Sequence, residues 1–226
     1  MRKRILSVLL VLAMVLTMLP TLARPAQAVT QNQQNIIDRA DYLYNITWVA
    51  QKTVSGWRYE HTFEKGGTYR IPYAQPINAG AYVGFGVSVE DFLAATKDAS
   101  SKFYTKKSTY NGADSVYYGM DCSGFVTWCW GLSRGTTYTI PQNSTNLGNA
   151  TKSNIRSKLQ VGDCLNSTSA GHAVLCTDLR YDAQGNLVEI EITEQTPPQL
   201  KRSHYTPEKL AELYEQWESL SELAEE

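Results

Sequence analysis

The sequence predicts an α+β domain in which helices come first and antiparallel strands follow. Three features support this prediction: a helical spacing of apolar residues between 31 and 50, an apolar run after Cys122 that suits a buried helix, and a strand–turn–strand pattern over 172–193. Helices and strands that are segregated along the chain are typical of α+β folds. The 226 residues are enough for one domain with its own core. The sequence shows no internal repeat and no linker that would separate two domains.

The first 28 residues have the layout of a secretory signal peptide. A basic start at residues 2–4 precedes an apolar block at 5–19 and the small-residue site Ala-Gln-Ala at 26–28. The alternative is an uncleaved N-terminal anchor, but the block is short for a membrane span and the Ala-x-Ala site favours cleavage. We therefore expect a secreted or extracellular domain of residues 29–226.

Charge and composition exclude some classes of partner. Without its first 28 residues the chain has 17 basic and 22 acidic residues, a formal charge of −5. Phosphate binding depends on clusters of Lys and Arg, so nucleic acid is not an expected partner. No later stretch is apolar enough to cross a bilayer. We therefore expect no contact with a membrane after signal cleavage.

The four cysteines, at positions 122, 129, 164 and 176, match neither a zinc site nor a dense disulfide scaffold. Cys122 and Cys129 would lie on one helix face two turns apart, which is too far for a disulfide. Cys164 and Cys176 lie in two apolar segments that could be adjacent strands, so a disulfide between them stays open. The simplest interpretation is that three of the four cysteines are small buried hydrophobic residues.

In the first half of the chain, two predicted helices flank a loop region. The apolar face of the first helix, within 31–50, consists of Ile36, Ile37, Ala40, Leu43, Tyr44 and Trp48. Residues 57–87 are rich in Tyr, Gly and Pro and predict loops with short extended pieces. Ser88 suits the N-cap of the second helix, because acidic residues follow it in the first turn. The buried face of the second helix is predicted to be Phe92, Ala95, Ala99 and Phe103.

The second half of the chain is predicted to contain two more helices and at least three strands. A polar segment (104–119) leads to a helix from Cys122 to Gly131 or Gly135, and a loop with one helical turn (141–151) follows it. The strands are predicted at 161–165, 172–178 and 187–193, with a turn at 182–186 between the last two. The last helix begins at Thr206-Pro207. On the last strand Val188, Ile190, Ile192 and Glu194 share one face, because side chains alternate.

Cys122 has the local setting of a nucleophile. It lies between Asp121 and Ser123 and would begin the buried helix, so its sulfur would be next to unpaired backbone N–H groups at the positive end of the helix dipole. Both features favour the thiolate over the thiol. Such a thiolate becomes a catalytic nucleophile when a base is delivered from elsewhere in the fold. The alternative is a buried structural cysteine, since cysteine is among the most buried residue types.

His172 is the predicted base, because it begins an apolar strand. His61 lies in a polar loop and His204 lies between basic residues and a helix start, so both are interpreted as surface histidines. A catalytic imidazole also needs a group that fixes its tautomer. Glu194, at the end of the apolar face of the next strand, is the first candidate. Gln195, which points to the opposite face, is the second.

These residues resemble the motifs of the NlpC-type cell-wall cysteine peptidases, a branch of the papain-like hydrolases. The stretch DCSGFV at 121–126 is similar to their nucleophile motif, LQVGD at 159–163 to their Leu-x-x-Gly-Asp turn, and GHAVL at 171–175 to the strand that holds their histidine. The sequence ITE at 192–194 resembles the related CHAP amidases, in which a glutamate orients the histidine. The motifs cover about 121–195 and follow the family's order.

One element of the family differs in this chain. The family has Tyr-x-x-Gly-Gly shortly before the cysteine, whereas residues 117–120 read Tyr-Tyr-Gly-Met. Tyr73 is a distant substitute, and residues 77–115 would then be an insertion between it and the nucleophile. Together with Tyr73, the resemblance implies Ser123 and Asp121 as substrate-binding or oxyanion residues. No recognisable cell-wall-binding repeat is attached.

The resemblance implies a secreted papain-like cysteine hydrolase that cleaves amide bonds in peptidoglycan stem peptides, as an endopeptidase or an amidase. Cys122, His172 and Glu194 would be its catalytic residues, and peptidoglycan or its peptide fragments its partner, in solution or at the cell wall. Such an enzyme needs no metal or organic cofactor and is expected to be a monomer. Two alternatives stay open: an acyl transferase or protein-directed protease with the same triad, and a non-catalytic secreted binding module.

Overall fold

The computed structural model describes residues 28–57, 61–75, 81–104 and 116–222. The predicted signal peptide therefore lies outside the described residues, except for Ala28, and parts of the predicted insertion at 77–115 also lie outside them. Within the described ranges, no helix combines the length and the apolar character needed to cross a bilayer.

Helix α1, Gln31–Asn45, confirms the first predicted helix. Thr30 is its N-cap and forms a capping box with Gln33, in which each side chain accepts a hydrogen bond from the other residue's backbone N–H. The buried side chains of α1 are those of Ile36, Ala40 and Leu43.

The prediction that Trp48 continues the face of this helix is wrong. Trp48 lies in strand β1, Trp48–Val49, and its indole N–H donates to the carbonyl oxygen of Arg70 at 2.8 Å. The β-branched residues Ile46 and Thr47, which separate the helix from the strand, favour extended backbone.

The region predicted as loops with extended pieces contains short strands. After β1 these are β2 Val54–Trp57, β3 His61–Phe63, β4 Thr68–Tyr69, β5 Ala81–Val83 and β6 Gly86–Val87, and β7 Val116–Tyr117 follows later in the chain. Strand β1 pairs with β4 and β2 with β3, both antiparallel, whereas β5 pairs in parallel with β6 and β7.

Helix α2, Val89–Lys97, begins with Ser88 as its N-cap, as predicted. It ends too early for Ala99 and Phe103 to lie on its face, so that part of the prediction is wrong. The backbone N–H and the hydroxyl of Ser100 donate to Asp98 Oδ1 at 2.8 and 2.6 Å, and this local turn competes with continued helix. Phe103 is nevertheless fully buried, in a short 3₁₀ turn.

Helix α3, Cys122–Cys129, begins at the predicted residue and ends next to Gly131. The N–H of Gly131 donates to the carbonyl of Trp128, and the N–H of Leu132 donates to the carbonyl of Thr127, both at 2.9 Å. This pattern is a Schellman cap, and the φ of +73° at Gly131 is the left-handed conformation that the cap requires. Of the two predicted ends, Gly131 is therefore the correct one.

The polar helix α4, Lys152–Lys158, was not predicted as a helix. Ile155 is its only buried residue within a sequence that is otherwise polar, so it has no apolar periodicity to detect. Thr151 is its N-cap and accepts a hydrogen bond from the N–H of Asn154.

A four-stranded antiparallel sheet follows, in the order β11-β10-β9-β8. Its strands are β8 Cys164–Ser167, β9 His172–Tyr181, β10 Leu187–Thr196 and β11 Gln199–Tyr205. The β9–β10 hairpin confirms the predicted strand–turn–strand pattern. Strand β11 was missed, because most of its residues are polar. Together with the helices, this sheet gives the α+β arrangement predicted from the sequence.

Two register shifts decide which side chains share a face of the sheet. Between the pairs Glu191–Asp178 and Ile192–Cys176, strand β9 contains one extra residue. A second shift falls near Val188, so Val188 is only half-buried, and Leu187 instead joins Ile190 and Ile192 in the core. The predicted face therefore holds for Ile190 and Ile192 but not for Val188.

The sheet lies between two helical layers. On one face, α3 contacts β9 and β10 and α1 contacts α3. On the other face lies the C-terminal helix α5, Pro207–Glu222, which contacts α4, β8, β10 and β11. The N–H of Lys209 donates to the hydroxyl of Thr206, which confirms the predicted N-cap. Ala173 and Leu175 pack toward the α3 layer, whereas Val174 and Cys176 pack toward the α5 layer.

Replacement of Leu175 by Ala is expected to lower the free energy of unfolding by about 2–5 kcal/mol, because Leu175 is fully buried in the α3 layer. The matched control is Leu132→Ala, in which the same atoms are removed from a residue that is 42% exposed. The control is expected to change stability by less than about 1 kcal/mol. Urea unfolding measures both values, and similar losses in the two variants would contradict this assignment of the core.

Candidate active site

The N-terminus of α3 is held by Asp121. The Asp121 carboxylate accepts the N–H of Gly124 at 2.7 Å through Oδ1 and the guanidinium of Arg134 at 2.5 Å through Oδ2. Burial raises the pKa of Asp121 to about 6, while the Gly124 N–H and the Ser123 hydroxyl act to lower it. Both carboxylate oxygens are engaged inside the protein, so Asp121 acts as the cap that fixes where α3, and with it Cys122, begins.

Cys122 and His172 meet at the end of the sheet. Cys122 is the first residue of α3, and its sulfur lies 3.7 Å from the carbonyl oxygen of Gly171. Interaction with Cys122 raises the pKa of His172, so the two side chains lie close together. Cys122 is 4% exposed and the His172 side chain 19% exposed, so the pair reaches solvent mainly through the imidazole.

Glu194 orients the imidazole from the neighbouring strand. Its Oε2 lies 2.8 Å from His172 Nε2, and its Oε1 lies 3.2 Å from the ammonium group of Lys201 on β11. Because Nε2 is occupied by Glu194, the other ring nitrogen, Nδ1, is the one available to the Cys122 sulfur. The first candidate for the orienting residue, Glu194, is therefore where the sequence predicted it.

The ionisation of this pair follows from its contacts. Burial lowers the pKa of His172, but hydrogen bonds and charge interactions with Cys122 and Glu194 outweigh it and raise the pKa to about 9. Burial likewise raises the pKa of Glu194, but His172 and Lys201 outweigh it and hold the pKa below its ordinary value. At neutral pH the arrangement therefore favours an imidazolium next to a carboxylate.

Gln195 is excluded from this role. It lies on the opposite face of β10, and its side-chain amide donates to the backbone carbonyl of Ile71 at 3.0 Å. His204 is also distant from Cys122, because its ring lies on β11 next to Glu189 and Glu191. His61 lies in β3, in a separate two-stranded sheet.

The structure brings Tyr73 next to the nucleophile helix despite its distance in sequence. Tyr73 forms a bridge with Met120, and the backbone of Pro72 and Ala74 hydrogen-bonds to both sides of Met120 at 3.0 Å. Tyr73 itself is buried and lies near Arg134.

Ser123 is also buried, and its hydroxyl lies 3.5 Å from Asp121 Oδ1. The Ser123 side chain thus faces inward, and only its backbone N–H suits an oxyanion site.

Helix α5 supplies a contact that the sequence did not predict. The ring of Trp217 lies edge-on against His172, with ring centres 5.0 Å apart and an interplanar angle of 83°. The Tyr214 hydroxyl donates to the backbone carbonyl of Asn166 at 2.6 Å. The sequence predicted where this helix begins, but not which strand it covers. Cys122 reaches the imidazole from the α3 layer and Trp217 reaches it from the α5 layer.

The other three cysteines have a different environment from Cys122. All four cysteines are free, so the disulfide between Cys164 and Cys176 that the sequence left open is not formed. Cys164 pairs with Leu175 rather than with Cys176, and the two cysteines pack on opposite faces of the sheet. Burial raises the pKa of Cys129, Cys164 and Cys176 well above the ordinary thiol range, so these three stay protonated at neutral pH.

In the part of the chain that the structure describes, no cluster of three or more His, Cys, Asp or Glu side chains could hold a metal ion.

Comparisons of this chain with known protein families, with curated proteins and with solved structures found no match.

Replacement of Glu194 by Gln is expected to lower the pKa of His172 from about 9 toward its ordinary value of 6.5, because the charge that stabilises the imidazolium is removed while the size of the side chain is kept. NMR titration of the His172 ring protons measures this pKa. The control is Glu189→Gln, which removes a carboxylate from the same strand, where it pairs with exposed Arg180. An unchanged pKa in the Glu194 variant would contradict the assigned contact.

The raised pKa of His172 also predicts how the stability of the folded chain depends on pH. Because the pKa of His172 is higher in the folded chain than in the unfolded one, its stabilising effect is complete below pH 6.5 and is lost as the pH rises through about 9. Urea unfolding between these values should therefore show a loss of stability in the natural chain that is smaller in Glu194→Gln.

Proposed function

We propose that this chain is a secreted papain-like cysteine hydrolase that cleaves amide bonds in peptidoglycan stem peptides. The observation that carries the proposal is the contact of His172 Nε2 with Glu194 at 2.8 Å, together with a Cys122 side chain that is close enough to raise the pKa of His172. A nucleophile, a base and a group that orients the base are the three parts that acyl transfer through cysteine needs.

In the first half of the reaction, the Cys122 sulfur attacks the carbonyl carbon of the substrate amide as a thiolate. The C–N bond breaks, and the leaving nitrogen takes its proton from the His172 imidazolium. Glu194 keeps the ring oriented and stabilises its positive charge. The product of this half is a thioester on Cys122 and a free amine.

In the second half, a water molecule attacks the thioester carbon while His172 accepts its proton. The carbon–sulfur bond breaks, the acid is released, and the thiolate–imidazolium pair is restored. The negative oxygen formed in both halves needs hydrogen-bond donors. The backbone N–H groups of Cys122 and Ser123 are suited to this role, because the first N–H groups of a helix have no partner within the helix, and Tyr73 lies on the neighbouring segment.

The substrate class is supported by the resemblance of residues 121–126, 159–163 and 171–175 to the cell-wall peptidases. The packing of the cysteine helix on an antiparallel sheet that carries the histidine agrees with the papain-like fold of that group. Export by the N-terminal 28 residues would deliver the domain, as a monomer, to the compartment that contains peptidoglycan. The chemistry described above requires no cofactor.

Replacement of Cys122 by Ala is expected to abolish release of fragments from purified peptidoglycan, because it removes the sulfur that forms the thioester. Mass analysis of the fragments identifies the bond that is cut, and a free carboxylate distinguishes hydrolysis from transfer, which leaves a new amide. The matched control is Cys129→Ala, on the same helix, which is expected to cost stability but to keep activity. A Cys122→Ala variant that still cleaves would refute the proposal, and so would a natural chain that folds but releases nothing.

Replacement of Tyr73 by Phe is expected to lower kcat by about 100- to 1000-fold with little change in KM, because it removes a donor to the oxyanion. The control is Tyr69→Phe, since Tyr69 lies in β4 and its hydroxyl contacts the backbone of Glu64. An unchanged kcat in the Tyr73 variant would show that Tyr73 contributes only through its pairing with Met120.

A further inference from the structure

Arg134 follows the nucleophile helix in sequence and contacts the N-terminus of that helix. Its Nη2 donates to Asp121 Oδ2 at 2.5 Å, and Asp121 is the residue directly before Cys122. The Asp121 side chain is only 5% exposed, whereas that of Arg134 is 32% exposed. The carboxylate is therefore the inner partner of this ion pair. The guanidinium is the outer partner, at the same end of α3 as the nucleophile.

The guanidinium of Arg134 is held in one orientation from two directions. Its edge meets the Asp121 carboxylate, and its face lies over the ring of Tyr82, with 4.9 Å between Cζ and the ring centre. The backbone after Arg134 is bound to the same helix, because the N–H of Gly135 donates to the hydroxyl of Thr127 at 3.1 Å. A side chain that is already held in place loses less conformational entropy when a ligand binds to it.

Most hydrogen-bond donors of this guanidinium are unused. A guanidinium has five N–H donors. Within the part of the chain that the structure describes, that of Arg134 makes one hydrogen bond, to Asp121. Two N–H groups of a guanidinium can bond both oxygens of a carboxylate at once, so the partly exposed donors suit an anion of this shape. The N-terminus of α3 adds a positive potential at the same place.

We propose that Arg134 binds a substrate carboxylate that lies beside the scissile amide, so that acidic peptides are preferred over their amidated forms. This inference rests on the proposed function and gives it a substrate preference. Since Arg134 is bound to the residue before Cys122, a group that it holds belongs to the part of the substrate next to the bond that Cys122 attacks. A carboxylate is the anion that a peptide substrate carries.

The test compares two forms of one stem-peptide fragment, N-acetyl-L-alanyl-γ-D-glutamyl-L-alanine amide. In one form the glutamate α-carboxylate is free and is the only charged group, and in the other it is a carboxamide of the same size. The natural chain is expected to cleave the acid form with a kcat/KM about 10- to 100-fold higher, because hydrogen bonds between charged groups are strong. Arg134→Gln is expected to cleave both forms equally well.

The matched control is Arg39→Gln. The Arg39 guanidinium donates to the carbonyl of Cys129 at 3.0 Å, at the opposite end of α3, so this variant should keep the natural preference. A purely structural role of Arg134 would lower cleavage of both peptides alike, and an unchanged ratio in Arg134→Gln would therefore overturn the proposal. Arg134→Lys keeps the charge beside Asp121 but lacks the planar fork, so its preference should be smaller than the natural one. It decides the matter if Arg134→Gln fails to fold, and an undiminished preference would then overturn the proposal.

Calorimetric titration of the full chain carrying Cys122→Ala with both peptides separates this inference from the proposed function. Tighter binding of the acid form, lost when Arg134→Gln is added, would support carboxylate binding by Arg134 even where the natural chain cleaves neither peptide, a result that counts against the proposed function. Equal binding of the two forms, or no binding of either, would overturn the inference. Equal cleavage of both forms by the natural chain would also overturn it, while the proposed hydrolase would stand.

Discussion

The hydrogen bond between Glu194 and His172 is the interaction on which the rest of the site depends. The Glu194 side chain is only 6% exposed, and a buried carboxylate is unfavourable unless it is paired. Here it meets two cationic groups, His172 at 2.8 Å and Lys201 at 3.2 Å. This pairing keeps Glu194 ionised, and it leaves the other ring nitrogen of His172 available to the Cys122 sulfur.

The sheet and the two helical layers supply that geometry from different parts of the chain. Strand β9 contains one extra residue near Thr177. Between this residue and the start of the strand, the extra residue reverses which side chains of β9 share a face with those of β10, and it therefore places His172 on the same face as Glu194. Asp121 fixes the start of α3 from one side, and Trp217 contacts the imidazole from the other. The histidine therefore lies where both layers meet the end of the sheet.

The predictions from sequence succeeded where the signal is local. The N-caps Ser88 and Thr206 and the turn at 182–186 each depend on residues that are close in the chain, and all three are found. The failures have local causes as well. A turn at Asp98 ended α2 early, and β11 was missed because its polar residues conceal the strand period.

By itself, the sequence determined which residue begins the cysteine helix, which histidine begins an apolar strand and which acid ends the apolar face of the next strand, because each of these is set by period and capping within a few residues. Only the tertiary structure decided that Glu194 rather than Gln195 meets His172. It also decided that Tyr73 pairs with Met120, that Arg134 binds Asp121, and that Lys201 and Trp217 contact Glu194 and His172. Those contacts join segments that are far apart in the chain. They depend on strand register and on the packing of helices, which a one-dimensional pattern does not encode.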